Sequence, residues 1–96
     1  MQRQEVLATI RRYRMGKGRR YPIVRLGIFG SAARDHMTDA SDVDVVVELA
    51  VPDLLILIGI KQDLEEELNR PVDIVRYRKD MNPELKARIE AEAIYG

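Results

Sequence analysis

Apolar and polar positions along this chain alternate with two different periods, and the switches between them mark out its elements. Over residues 2–14, Val6, Leu7, Ile10 and Tyr13 recur at helical spacing, with Arg3, Arg11 and Arg12 mostly elsewhere. That pattern predicts an amphipathic helix, ended by Gly16 and Gly18. Residues 24–29 are rich in β-branched and aromatic side chains and stop at a glycine, which predicts a buried strand and a tight turn. One or two helical turns are expected over residues 31–36, a polar loop over 38–41, and a second strand over 43–49. Pro52 and Asp53 open a helix that runs to about residue 69, with the aspartate suited to the positive helix start. Leu54, Leu57, Ile58, Leu64 and Leu68 form its expected core stripe, while Leu55, Ile56 and Ile60 fall outside. Asn69-Arg70-Pro71 breaks that helix, and residues 72–77 predict a third strand. Asn82 and Pro83 read as an N-cap and a first-turn proline. They start a last helix over residues 84–94 with Leu85, Ile89 and Ala93 inward.

This order predicts an α/β or α+β sandwich. Ninety-six residues supply one core and no more, so residues 1–96 are read as a single domain. The absence of cysteine excludes a disulfide scaffold and a thiolate metal site, and one histidine excludes a histidine-rich zinc site. No signal-peptide core opens the chain. The longest apolar run, residues 54–60, is far short of a membrane span. A soluble cytoplasmic protein with no membrane partner is therefore expected.

The formal net charge is zero, yet it is unevenly spread. Residues 1–25 hold eight Lys/Arg and one acid; residues 26–75 hold three Lys/Arg and eleven acids. A basic opening segment fits either a solvated helix face or contact with phosphate, nucleic acid or an acidic partner. The tyrosines are scattered and form no stacking platform for bases, which leaves direct nucleic-acid binding open.

The candidate chemistry lies in the middle of the chain. Gly30 lets a backbone approach a ligand closely, and Ser31 adds a hydroxyl beside backbone N–H groups free to meet an anion. Asp42 and Asp44 are two residues apart on a predicted strand, so both point to one face. Two carboxylates there repel each other and are costly to desolvate. A cation between them would relieve both costs, and carboxylate oxygens suit Mg²⁺ with substrate phosphates completing its shell. Asp73 stands inside the third strand, where aspartate is depleted. It is either a solvated edge acid or a third carboxylate beside the first two. Arg34 suits bidentate recognition of phosphate or a partner, or else pairs with an acid such as Asp39. Ser41 either orients Asp42 or caps a turn. His36 is read as a loop residue.

Gly30-Ser31, ten intervening residues and Asp42-x-Asp44 resemble the signature of the polymerase-β-like nucleotidyltransferase superfamily. With Arg34 and Ser41 added, the string resembles its minimal nucleotidyltransferases, which occur as antitoxin partners of HEPN-domain toxins. The resemblance runs from about Val24 to the end of the chain. One departure is Asp35, where a glycine commonly follows the arginine. The resemblance implies a small mixed sheet of about three strands, with helices packed on one face and the active site on the other. It implies that Asp42, Asp44 and Asp73 hold two Mg²⁺ ions and carry catalysis, and that Gly30, Ser31, Arg34 and Ser41 serve the nucleotide. The implied reaction moves AMP from ATP to an acceptor hydroxyl, expected to be a tyrosine of a HEPN toxin. The alternatives are a silent binding antitoxin or scaffold, and nucleotidyl transfer to a small molecule. The apolar residues Leu55, Ile56 and Ile60 predict a covered surface on the 53–69 helix: a homo-oligomer contact, a seat for the toxin, or a face over which the first or last helix folds within one chain.

Overall fold

The computed structural model describes residues 1–38 and 40–96. In chain order it forms α1 (Arg3–Met15), a 3₁₀ turn (Lys17–Arg20), β1 (Ile23–Phe29), α2 (Gly30–Ala33) and β2 (Val43–Leu49). These are followed by α3 (Leu54–Leu68), β3 (Val72–Arg76), α4 (Pro83–Glu92) and β4 (Ile94–Tyr95). The sheet order is β3-β2-β1-β4, with β2 and β3 parallel and the other pairs antiparallel.

Period-two alternation divides the sheet's two faces. Leu26, Ile28, Val43, Val45, Val47 and Val72 point to one face, where Val6, Leu7, Ile10 and Tyr13 of α1 and Ile60, Leu64 and Leu68 of α3 cover them. Phe29, Val46 and Val75 point to the other face, against Met81 and the α4 residues Leu85 and Ile89. The helix layer expected on one face is thus α1 and α3, while α4 covers part of the opposite one. Asp42, Asp44 and Asp73 alternate with the α1/α3-facing residues, so they share the α4 side of the sheet.

Local chemistry sets the helix ends as anticipated. The Asp53 carboxylate accepts from the Leu55 and Ile56 N–H groups at 2.8 and 3.4 Å, and Asn82 Oδ1 accepts from the Leu85 N–H at 3.0 Å. These contacts satisfy amides that helix geometry leaves open. Asn69 ends α3 in the left-handed region at φ 53. The turn chemistry at Asp35 is of the same kind. It takes φ 60 where the resemblance puts a glycine, and its carboxylate accepts from the Arg3 N–H at 2.8 Å.

Two expectations need correction. The sheet has four strands instead of about three, because the last helix stops at Glu92 and the chain turns extended. Ile94 then packs toward the α1/α3 core and Tyr95 toward the α4 side. That two-residue alternation is too short to register in a sequence window, yet it covers the β1 edge at Gly27 and Ile28. The second correction concerns the rotation of α3. Ile60 is fully buried and Ile56 packs against the core, while Leu54 (69% exposed), Leu55 (78%) and Ile58 (41%) face outward. Gly59 accommodates the Tyr21 hydroxyl, which lies where a β-carbon would stand.

Much of the basic opening segment is used within the fold. Arg14 donates to the Gly96 and Val24 carbonyls at 3.0 and 2.7 Å. Arg20 and the Tyr13 hydroxyl both donate to Asp63 Oδ2 at 2.8 Å. Burial first, and then Asp63, push the Tyr13 phenol upward, so it stays a donor. Arg25 pairs with Glu48 at 2.8 Å and lies over the Tyr95 and Tyr77 rings.

Gly27 is required by the β4 pairing. A β-carbon there would lie 2.5 Å from the Ile94 carbonyl oxygen and 2.9 Å from Tyr95 Cα, both backbone. Gly27→Ala is expected to lower the unfolding free energy by about 1–3 kcal/mol, the usual cost of overpacking. A urea-denaturation midpoint unchanged from wild type would contradict this.

Candidate active site

The site begins with strand register. In the parallel β2–β3 pair, Asp44 lies directly opposite Asp73. Neighbouring strands are about 4.8 Å apart, so two same-face carboxylates at one register position are close neighbours. Asp42 precedes β2 on the same face and is exposed. The antiparallel β1–β2 pair sets Phe29 opposite Asp44, which brings the Gly30-Ser31 turn beside that carboxylate.

Gly30 shows why this turn takes glycine. Its φ is +65, and Asp44 Oδ2 occupies the space a β-carbon would need. The turn and the acidic strand are therefore in contact, and neither tolerates a side chain at position 30. Burial first, and then Asp73, push the Asp44 carboxyl above its ordinary value. Asp42 adds to this, while Arg88 and Arg34 pull the other way. A repelling acidic group with two cations around it is a charged site on an open sheet face. Two surface hollows, of about 500 and 730 Å³, lie instead along α1, lined by residues such as Arg11, and contain none of the three acids.

Several contacts position these groups without carrying chemistry. Glu65 Oε2 on α3 accepts from the Val72 N–H at 3.0 Å and from Lys61 at 3.1 Å, which fixes the start of β3 one residue before Asp73. Arg70 donates to the Thr38 and Ser41 carbonyls at 2.9 and 3.2 Å, which ties down the approach to Asp42. Ser41 Oγ accepts from the Thr38 N–H at 2.9 Å and shares a bond with the Thr38 hydroxyl at 3.1 Å. It thus caps its own turn, the second of the two roles open to it. His36 is an exposed loop residue whose N–H donates to the Ser31 carbonyl at 2.9 Å. Ser31 is half-buried at the turn. The expected pairing of Arg34 with Asp39 lies outside the described residues.

Two groups here carry no sequence signal. Arg34 Nη1 donates to Glu92 Oε1 at 3.0 Å, and the Gly30 N–H donates to Glu92 Oε2 at 3.1 Å. Arg88 stands 3.9 Å from the same carboxylate and over the Phe29 ring. An i,i+4 Arg–Glu pair on a helix ordinarily marks a solvated face, so nothing along the sequence singles these residues out.

The donor set fits a hard divalent cation in type: carboxylate oxygens only, on one face, with like-charge repulsion to relieve. Among the described residues, however, no three ligating side chains stand close enough to enclose an ion by themselves. Further oxygens would have to complete a shell.

Comparison with known proteins identifies the family. Residues 10–95 match the model of the nucleotidyltransferase domain family. A Methanocaldococcus jannaschii protein provisionally named as a protein adenylyltransferase (MJ0126) is 32% identical over 92 residues, covering 95% of this chain and 94% of that protein. The protein adenylyltransferase MntA of Thermococcus cleftensis is 30% identical over 73 residues, 75% of this chain and 74% of its own. A solved structure described as a minimal nucleotidyltransferase superposes with a TM-score of 0.80 at 32% identity, covering 98% of this chain and 95% of that one. A solved complex of a tri-AMPylated Shewanella oneidensis HEPN toxin with an MNT antitoxin contains a chain of the same fold, with a TM-score of 0.68 at 18% identity over 97% and 70% of the two chains. With its glycine-serine turn set against the acidic strand, the chain belongs to the nucleotidyltransferase domain family, as one of the minimal nucleotidyltransferases.

Proposed function

We propose that this protein transfers AMP from ATP to a hydroxyl of a partner protein, with a tyrosine of a HEPN toxin as the acceptor, and so acts as an enzymatic antitoxin. The observation that carries this reading is the contact of Gly30 with Asp44, which is itself in register with Asp73. A turn suited to phosphate and a group of acids suited to a cation then meet at one point. The relatives named as protein adenylyltransferases support the reaction class. A structure of a toxin–antitoxin pair with AMP-PNP supports the nucleotide.

In this reading Gly30, Ser31 and Arg34 hold the triphosphate, and Ser41 acts only by shaping the turn before Asp42. The acceptor oxygen forms a bond to the α-phosphorus, and the bond from that phosphorus to the bridging oxygen breaks. Pyrophosphate leaves with the bonding pair, and the acceptor's proton passes to the Asp73 carboxylate. Most of the rate gain comes from alignment and charge, since the protein forms no covalent bond itself. Asp42, Asp44 and Asp73 would hold magnesium, two ions in the fullest version, which supplies positive charge against the phosphates.

The exposed Val51, Leu54, Leu55 and Ile58 form the apolar surface that such a partner would cover. Soluble proteins seldom leave a contiguous patch of this kind in water.

The direct test is incubation with ATP, magnesium and the HEPN partner, followed by intact mass of the partner. Addition of AMP units is expected, and an unmodified partner would count against the reading. Asp42→Asn or Asp44→Asn is expected to abolish transfer. Asp44→Asn should also raise the magnesium-free melting temperature, because it removes a carboxylate that burial and then Asp73 disfavour in the fold. The sign follows from linkage: a carboxyl whose pKa is raised on folding costs stability once ionised. Full activity in both variants would remove the acids from the site.

Asp73→Ala should lower kcat by about 100-fold or more, as loss of a general base does, with a smaller change in nucleotide Kd. An unchanged kcat would return Asp73 to a solvated edge acid. Replacing Leu54 and Leu55 with Glu and Lys should leave the monomer folded and break its complex in light scattering. Normal binding of the partner would exclude this surface, and dissociation of a homodimer instead would assign it to self-association.

A further inference from the structure

The Gly30 N–H, the Arg34 guanidinium and the Arg88 guanidinium converge on one internal anion. Glu92 Oε2 accepts from Gly30 at 3.1 Å and Oε1 from Arg34 at 3.0 Å, and Arg88 Nε lies 3.9 Å from Oε2. A carboxylate in the last turn of a helix opposes the helix dipole. Glu92 sits in that turn of α4, so these donors compensate an otherwise unfavourable placement. Its side chain is 24% exposed and its partners Arg34 and Arg88 about half exposed, so the cluster opens to solvent rather than being sealed in the core. The Phe29 ring under Arg88 and the Asp44 carboxylate beside Gly30 complete its surroundings.

We propose that Arg88 joins the Gly30 and Arg34 donors in taking the nucleotide's phosphates, and that Glu92 is a built-in competitor which must leave for the nucleotide to enter. The proposal rests on the transferase reading only for the identity of the anion. The Gly30 N–H has a single hydrogen to give, so a phosphate oxygen and the Glu92 carboxylate cannot both hold it well. Phosphate oxygens take up guanidinium forks as carboxylates do, with more charge. Release of Glu92 also frees Arg34 and Arg88 together, so the subsite gains two cations at the moment the anion arrives. α4 carries Arg88 and Glu92 one turn apart and also packs on Val46 and Phe29 through Ile89. Occupancy of the subsite is thereby linked to the helix that borders the acids.

The test is titration calorimetry on the full chain with two probes in magnesium buffer, inorganic pyrophosphate and ATP. Glu92→Gln keeps the shape and removes the charge. It is expected to bind both probes about three- to tenfold more tightly than wild type, the range that loss of one competing hydrogen bond allows. Adding Arg34→Gln or Arg88→Gln should cancel the gain. Equal or weaker binding by Glu92→Gln would overturn the proposal and make Glu92 a structural tether. A Glu92→Gln protein that does not fold moves the test to wild type. There, pyrophosphate should shift the Gly30 amide and the Glu92 carboxyl carbon together in NMR spectra, and a shift of Gly30 alone would overturn the proposal. The two readings fail separately. If neither protein binds ATP, the transferase reading falls, while pyrophosphate still decides the subsite: tighter binding by the variant supports it, and equal or absent binding overturns it.

Discussion

The Asp44 carboxylate lies in the space that Gly30 leaves by having no side chain, and the site depends on that fit. It joins the end of β1 to the start of β2, and through the β2–β3 register it reaches Asp73. A carboxylate pushed up by burial and by a second acid is an unfavourable arrangement in a protein of 96 residues. The fully buried valines of β2 hold it in place. Val43, Val45 and Val47 anchor one face of the strand to α1 and α3, and Val46 anchors the other to α4. Once those side chains are packed, alternation leaves Asp44 no other direction.

The same economy of parts explains the surroundings. Small domains bury a limited core, so one helix serves several purposes. α4 closes the second apolar cluster, carries Arg88 beside the acids, and ends where β4 takes over the free edge of β1. α3 supplies core through Ile60, Leu64 and Leu68, ties β3 through Glu65, and still presents Leu54, Leu55 and Ile58 outward. The arginines of the opening segment are in good part internal links, as Arg14, Arg20 and Arg25 show.

What could be read in the sequence was whatever has a local cause. The glycine-serine turn, the alternating β2, the Asp53 and Asn82 caps and the α1 stripe each follow from a few neighbouring residues. The rotation of α3 is not legible in the sequence because its first turns are apolar nearly all round. Burial of Ile60 over Leu54 is decided by where the sheet lies, not by the wheel. β4 leaves no sequence signature, since two residues cannot display a period. Arg88 and Glu92 were invisible for another reason: a charged i,i+4 pair has an ordinary explanation, and only its contact with Gly30, 62 residues away, gives it another.

The central claim is that the acids beside the glycine-serine turn direct attack at the α-phosphorus. Parallel incubations with the proposed HEPN acceptor and ATP labelled at either the α- or the γ-phosphate test this most directly. The account predicts that the α-label alone becomes covalently attached to the partner and that the γ-label leaves in pyrophosphate. Transfer of the γ-label, or α-label attached equally well by the Asp44→Asn protein, would contradict it.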